Sequence, residues 1–228
     1  MTTGKIDLKK TLDAYRDTRG TFRVVDVPTF RYIMVDGHGD PNTSPLYPRS
    51  LEALYPVAYA MKFASKRDLG RDYVVPPLEG LWWAEDMAAF TTARDKSRWY
   101  WTMMLMVPPW VGRDIFDAAV QQVAAKTAKT AKTKATPERL GDIRLEELSE
   151  GRCVQTLHIG SFDDEAAVLE RMHGEFLPAN GLRLDGTHHE IYFSDPRRTA
   201  PEKLRTLLRQ PVAPASAPAQ DSPGPSPV

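Results

Sequence analysis

The sequence is short of most features that announce a chemistry. It holds one cysteine, Cys153, in 228 residues. No internal disulfide can form, and there is no sulfur pair for a zinc ribbon or a redox motif, which fits a reducing compartment. Neither sign of charge is in excess: 30 Lys and Arg balance 30 Asp and Glu. A chain without a net field is not expected to bind nucleic acid directly by neutralising phosphates. No stretch approaches the roughly 18 to 20 apolar residues of a membrane span, and Met1 to Lys10 is polar, without the apolar core of a secretion signal. The expectation is a cytoplasmic protein with no membrane contact. Also missing are a Gly-Lys-Ser/Thr phosphate loop, a Gly-x-Ser-x-Gly elbow, a His-Glu-x-x-His pair and a dinucleotide glycine fingerprint, and most large enzyme classes go with them. His188 and His189 project to opposite faces of an extended segment, so they cannot coordinate together, and neither a metal nor a cofactor is expected.

What is present suits a globular domain: 42% of residues are apolar, enough for a buried core at this length. Two segments fall outside it. Residues 212–228 are a Pro, Ala and Ser tail with too little apolar mass to offset the entropy of ordering, and are expected to be disordered. Lys126 to Thr136, rich in Lys, Thr and Ala, reads as a helix end running into a solvated linker, within a joining segment 112–139.

Between these segments, elements alternate. Phe22 to Asp26 and Phe30 to Asp36 are rich in Val, Ile, Tyr and Phe and, with a Pro28 turn between them, read as a hairpin. Leu51, Leu54, Tyr55, Ala58 and Met61 follow the spacing of a buried helical stripe. Apolar runs follow at Leu78 to Trp83, after Pro76-Pro77, and at Trp99 to Val107, before Pro108-Pro109. A second helix carries Phe116, Ala119, Val120 and Val123. The pattern then restarts: strands at Ile143 to Leu148 and Cys153 to Ile159, a helix carrying Ala166, Leu169, Met172, His173 and Phe176, and a strand at His189 to Ser194. A shift of 121 positions lays Val24 on Leu145, Ile33 on Val154 and Gly39 on Gly160, and a shift of 110 lays Trp82 on Tyr192. These matches suggest duplication, with half-repeats at about 20–111 and 140–211 inside one domain spanning 1–211. The fold class expected is α+β: duplicated strand-strand-helix-strand units in a largely antiparallel sheet, helices on one face, and a ligand cleft at the pseudo-twofold seam.

Aromatics and carboxylates are the remaining candidates for chemistry. Trp82, Trp83, Trp99, Tyr100, Trp101 and Trp110 crowd into one region, and an indole N–H needs a partner when buried. Strand alternation puts Trp99, Trp101, Met103 and Leu105 on one face, suited either to a flat ligand or to core and dimer packing. On the last strand Glu190 and Tyr192 share a face. A carboxylate at the centre of a strand is a poor β former that can hold a cation or act as a general base, or can simply face water at an edge. Glu79, Glu85 and Glu52 are weaker candidates of the same kind. His158, late in an apolar strand, reads as a hydrogen-bonded structural histidine, and Cys153 as inert core.

Several strings resemble a known family. Pro77-Leu-Glu-Gly-Leu-Trp82, Trp101-Thr-Met-Met104, Cys153-Val-Gln-Thr-Leu-His-Ile-Gly-Ser161 and His189-Glu-Ile-Tyr-Phe-Ser-Asp-Pro-Arg-Arg198 resemble GyrI-like small-molecule-binding proteins of the stand-alone bacterial branch, over residues 5 to 211. The resemblance implies a duplicated βαββ-type sheet related to the effector-binding domains of multidrug-sensing regulators, with an acid in an aromatic pocket that recognises lipophilic cations. It also implies, for some members, hydrolysis of strained cyclopropane rings in DNA-alkylating compounds. Carried over by motif, Glu190 is the central, catalytic acid, and Tyr55, Trp82, Trp101 and Tyr192 are the walls. Met103 and His158 are further ligand-binding candidates from the residue reading. The partner implied is a small lipophilic or cationic ligand, bound by a monomer or homodimer. A non-catalytic sensor or sequestering role, and a protein-interaction role such as topoisomerase inhibition, stand as alternatives.

Overall fold

The computed structural model describes residues 4–85, 95–129 and 136–215. In chain order its main elements are α1 (Leu8–Thr11), β1 (Arg23–Val27), β2 (Phe30–His38), α2 (Leu46–Asp68), β3 (Leu78–Trp83), β4 (Tyr100–Val107), α3 (Arg113–Lys129), β5 (Arg144–Leu148) and β6 (Gly151–Ile159). They continue with α4 (Glu165–Arg171), α5 (Leu177–Ala179), β7 (Leu182–Leu184), β8 (His188–Tyr192) and β9 (Arg205–Pro214). A π-helical turn, Met172–Phe176, joins α4 to α5. The fold is α+β with extensive antiparallel pairing, in two compact units: Met1–Arg16 with Thr29–Ser149, and Asp17–Pro28 with Glu150–Val228. The part of the Lys126 to Thr136 segment from 130 to 135 lies outside the described residues.

In the first unit the strand order is β3-β4-β2-β5, all antiparallel. The helix α2 packs across β2 and β4, with α3 beside it. Strand alternation supplies the apolar face beneath: Ile33 and Val35 on β2, and Trp101, Met103 and Leu105 on β4, all buried. In the second unit the order is β1-β6-β9-β8, with β7 on the far end of β9. The helical run from 165 to 179 covers Val154, Leu208 and Val212 with Met172 and Leu177, and Phe22, Val168, Leu169 and Phe176 pack against that cluster.

The expected hairpins do not form. β1 pairs with β6, and β2 with β5, so each unit takes its outer strand from the opposite repeat. The link between β1 and β2 is Pro28-Thr29; proline fixes a negative φ, whereas a two-residue hairpin turn needs a positive one. The duplication itself is written into the register. Val24 pairs with Val154 and Leu145 with Ile33, the same rung after a shift of 121. Trp82 pairs with Trp101 and Tyr192 with Thr206, so Trp101 is the first-half counterpart of Thr206.

Two further strands, β7 and β9, were not expected from the sequence. β9 runs through Arg209 and Gln210, three residues into the stretch read as a disordered tail. Val212 is buried in the cluster around Met172, and β7 pairs with Val212 to Pro214, which gives those residues the contacts composition alone did not suggest. Residues 216–228 lie outside the described residues.

Candidate ligand-binding site

In the second unit Glu190 stands on the strand face that carries the helical run. Antiparallel partners share a face, and Glu190 pairs with Leu208, a member of the cluster beneath Met172. Its side chain retains 13% exposure. Alternation along β8 puts His188 and Tyr192 on either side of it. The Tyr192 hydroxyl donates to Glu190 Oε2 at 2.7 Å, and His188 Nε2 lies 3.4 Å from Oε1. Each of the two carboxylate oxygens therefore has one polar neighbour on the same strand. Behind His188 the π-helical turn brings His173, whose imidazole is held down to about 4, mainly by burial and then by His188. Phe162, 39% exposed, meets the Tyr192 ring edge-on at 5.8 Å between centroids, giving the carboxylate an aromatic margin open to solvent. His158 occupies the same face, paired through Thr206 to Tyr192, and its Nε2 is 3.0 Å from the Ser161 carbonyl oxygen, the bonded structural role read from the sequence.

On the opposite face a buried polar row holds the same three strands in register. Gln155, Arg209 and His189 are successive partners on β6, β9 and β8. Glu150 accepts from Arg209 Nη1 at 2.8 Å and lies 2.9 Å from His189 Nδ1, while Arg209 Nε donates to Gln155 at 3.1 Å. Burial acts to raise the Glu150 carboxyl, but the charges and hydrogen bonds of His189 and Arg209 outweigh it and hold it down at about 2. A one-residue slip of β8 would turn Glu190 to the other face, and this row opposes it. Cys153, fully buried beside Glu150, has its thiol pushed up to about 12, first by burial, and is inert as expected.

The other expected residues belong to the first unit. Trp101 is fully buried; its indole N–H donates to the Gly39 carbonyl at 3.3 Å and its ring meets Tyr47 edge-on. Met103 is buried beside it, and packing accounts for both. Trp82, on the same face, meets Trp99 edge-on at 5.9 Å, and Trp83 stacks on Tyr100. Tyr55 lies half-buried on α2. Glu79, one of the weaker candidates, is fully buried and accepts from the Tyr15 hydroxyl. Glu85 is exposed and accepts from Tyr100.

Sequence reasoning missed His188, Phe162, Thr206 and the Glu150 row. Only His188 had a usable signal, its spacing of two from Glu190 on one strand. Among the described residues no group of three or more His, Cys, Asp or Glu side chains could hold a metal ion, and no helix is long and apolar enough to cross a membrane.

The fold repeats one antiparallel unit, and in the second copy a partly shielded carboxylate lies beside the Tyr192 and Phe162 rings. The chain belongs to the GyrI-like small-molecule-binding family, whose model matches residues 20–213. Two solved structures, each a hydrolase from Listeria innocua, are similar: one is 35% identical with a TM-score of 0.77, the other 32% identical with a TM-score of 0.75. Each comparison covers 92% of this chain and 100% of the other. The EcmrR C-terminal domain shares the fold at 10% identity, with a TM-score of 0.50 over 85% of this chain and 98% of that one. No curated protein matches.

Proposed function

We propose that this chain binds planar lipophilic or cationic small molecules against Glu190. The observation that carries this reading is the partly shielded carboxylate, with Tyr192 at 2.7 Å from one oxygen, His188 at 3.4 Å from the other and Phe162 at the solvent margin. A cation placed there gains charge neutralisation from Glu190 and a contact with an aromatic face of about 0.5–2 kcal/mol. Calorimetric titration with rhodamine 6G tests it. Glu190→Gln should weaken binding at least roughly tenfold, the scale of one lost charge-assisted contact; unchanged affinity removes Glu190 from the site.

A second reading adds chemistry, and the identity to two Listeria innocua hydrolases favours it. Glu190 takes a proton from water as the water oxygen bonds to a ring carbon of a strained cyclopropane. The ring C–C bond breaks and its electron pair passes into a conjugated acceptor, which then recovers the proton from Glu190. Ring strain and positioning supply most of the rate, so one base suffices. Such turnover would detoxify alkylating compounds in the cytoplasm. A panel of conjugated cyclopropanes followed by mass spectrometry separates the readings: addition of water, lost in Glu190→Gln, supports hydrolysis, and binding without product supports a sensor.

A further inference from the structure

The two halves build the same rungs with different chemistry. Rung for rung, Glu190, Tyr192, Thr206 and Thr156 of the second half correspond to Gly80, Trp82, Trp101 and Val35 of the first. The first half therefore shows that this strand geometry needs neither the carboxylate nor the two hydroxyls. In the second half all three appear together, on one face.

Thr206 is 1% exposed and Thr156 fully buried, and the Oγ1 of each makes no hydrogen bond among the described residues. Thr206 is the cross-strand partner of Tyr192 and the diagonal neighbour of Glu190; Thr156 is diagonal to Thr206. Diagonal neighbours on a sheet face lie roughly 7–8 Å apart, about the width of one aromatic ring system's reach from the carboxylate. His173 adds a third such atom on this side, its buried Nε2 also lacking a hydrogen bond. A buried hydroxyl without a partner costs stability, and a valine of the same shape would not. Retaining one of them diagonal to the acid and a second diagonal to the first, across Leu208 from Glu190, points to a use that outweighs the cost in stability.

Resting on the reading of Glu190 as the ligand's anchor, the geometry points to Thr206, with Thr156, as a hydrogen-bonding subsite that takes a polar edge of the planar ligand: an N–H, hydroxyl or carbonyl carried beside its cationic or electrophilic centre. A threonine hydroxyl both donates and accepts, so the subsite selects for a polar edge without fixing its sense. The ligand class narrows accordingly, from any flat lipophilic cation to one with a heteroatom on its rim.

Two fluorescent acridinium dyes test this with the full chain: the 3,6-diamino compound, which has exocyclic amino N–H groups on its rim, and its tetramethylated analogue, which keeps the shared ring N–H but has no exocyclic N–H. The wild-type chain should prefer the diamino dye, and Thr206→Val should shrink the ratio of the two affinities about fivefold, one hydrogen bond's worth. Thr206→Ser should restore the ratio. The melting temperature of Thr206→Val should be unchanged or raised, and Thr156→Val should behave likewise with a smaller change in ratio. Glu190→Gln should weaken both dyes together and leave the ratio alone, so its failure counts against the anchor and not the subsite. Equal affinity of the two dyes for the wild-type chain, or an unchanged ratio in Thr206→Val, overturns the subsite. A Thr206→Val chain that melts lower with its ratio intact overturns it too, because the hydroxyl would then be structural.

Discussion

The Tyr192 hydroxyl and Glu190 Oε2 are joined by a 2.7 Å hydrogen bond between residues two apart on one strand, both on the face that the helices cover. A donor so placed fixes the orientation of the carboxyl group, leaving Oε1 towards His188. Tyr192→Phe keeps the ring and its contact with Phe162 but removes the donor. We expect rhodamine 6G affinity to fall about three- to tenfold, with little change in melting temperature. An unchanged affinity by fluorescence titration would show that the hydroxyl does not prepare the site.

The Glu150 row makes a pH-dependent contribution whose sign is fixed. Because the folded carboxyl sits at about 2 against an ordinary 4.5, its stabilisation is complete above 4.5 and is lost as pH falls towards 2. Urea unfolding between pH 5 and 2 should show a steep loss in the wild type that is shallower in Glu150→Gln. At neutral pH Glu150→Gln should cost about 3–5 kcal/mol, since Arg209 is left buried without its counter-charge.

His173 acts in a higher window. Its folded value of about 4 lies below the ordinary 6.5, so the unfolded chain binds the extra proton first. Stability that is full above 6.5 should decline as pH falls to 4, and His173→Gln should flatten that decline. Equal pH slopes for the two chains would contradict the buried, neutral imidazole.

The Trp101 indole lies across the backbone of Gly37, its cross-strand partner. A methyl group added at Gly37 would come within 2.0 Å of the ring. Gly37→Ala should therefore destabilise the chain by about 1–3 kcal/mol or more, measured by chemical denaturation, and should disturb tryptophan fluorescence.

Much of this was legible in the sequence for a definite reason. Proline pairs bracket β3 and β4, and the shift that lays Val24 on Leu145 and Ile33 on Val154 reappears as matching rungs, because duplicated strands keep their period-two pattern. Alternation along β8 likewise put Glu190 and Tyr192 on one face. Partner choice was not legible. Adjacent strands usually pair, but β1 joins β6 across more than a hundred residues, and Pro28 is the only local hint. β9 escaped notice because Arg209 and Gln210 look foreign to a central strand until Glu150, 59 residues from Arg209, supplies the counter-charge. The ring of Trp101 looked available for a ligand because composition cannot reveal that Gly37 makes room for it inside the core.

The central claim concerns where a guest sits, and a crystal of the wild-type chain soaked with a brominated lipophilic cation answers it directly. The account predicts an anomalous bromine peak beside Tyr192 and Phe162, with the cationic centre in contact with Glu190 and no peak there in Glu190→Gln crystals. A well-occupied cation elsewhere, with Glu190 still bonded only to its protein neighbours, would contradict it.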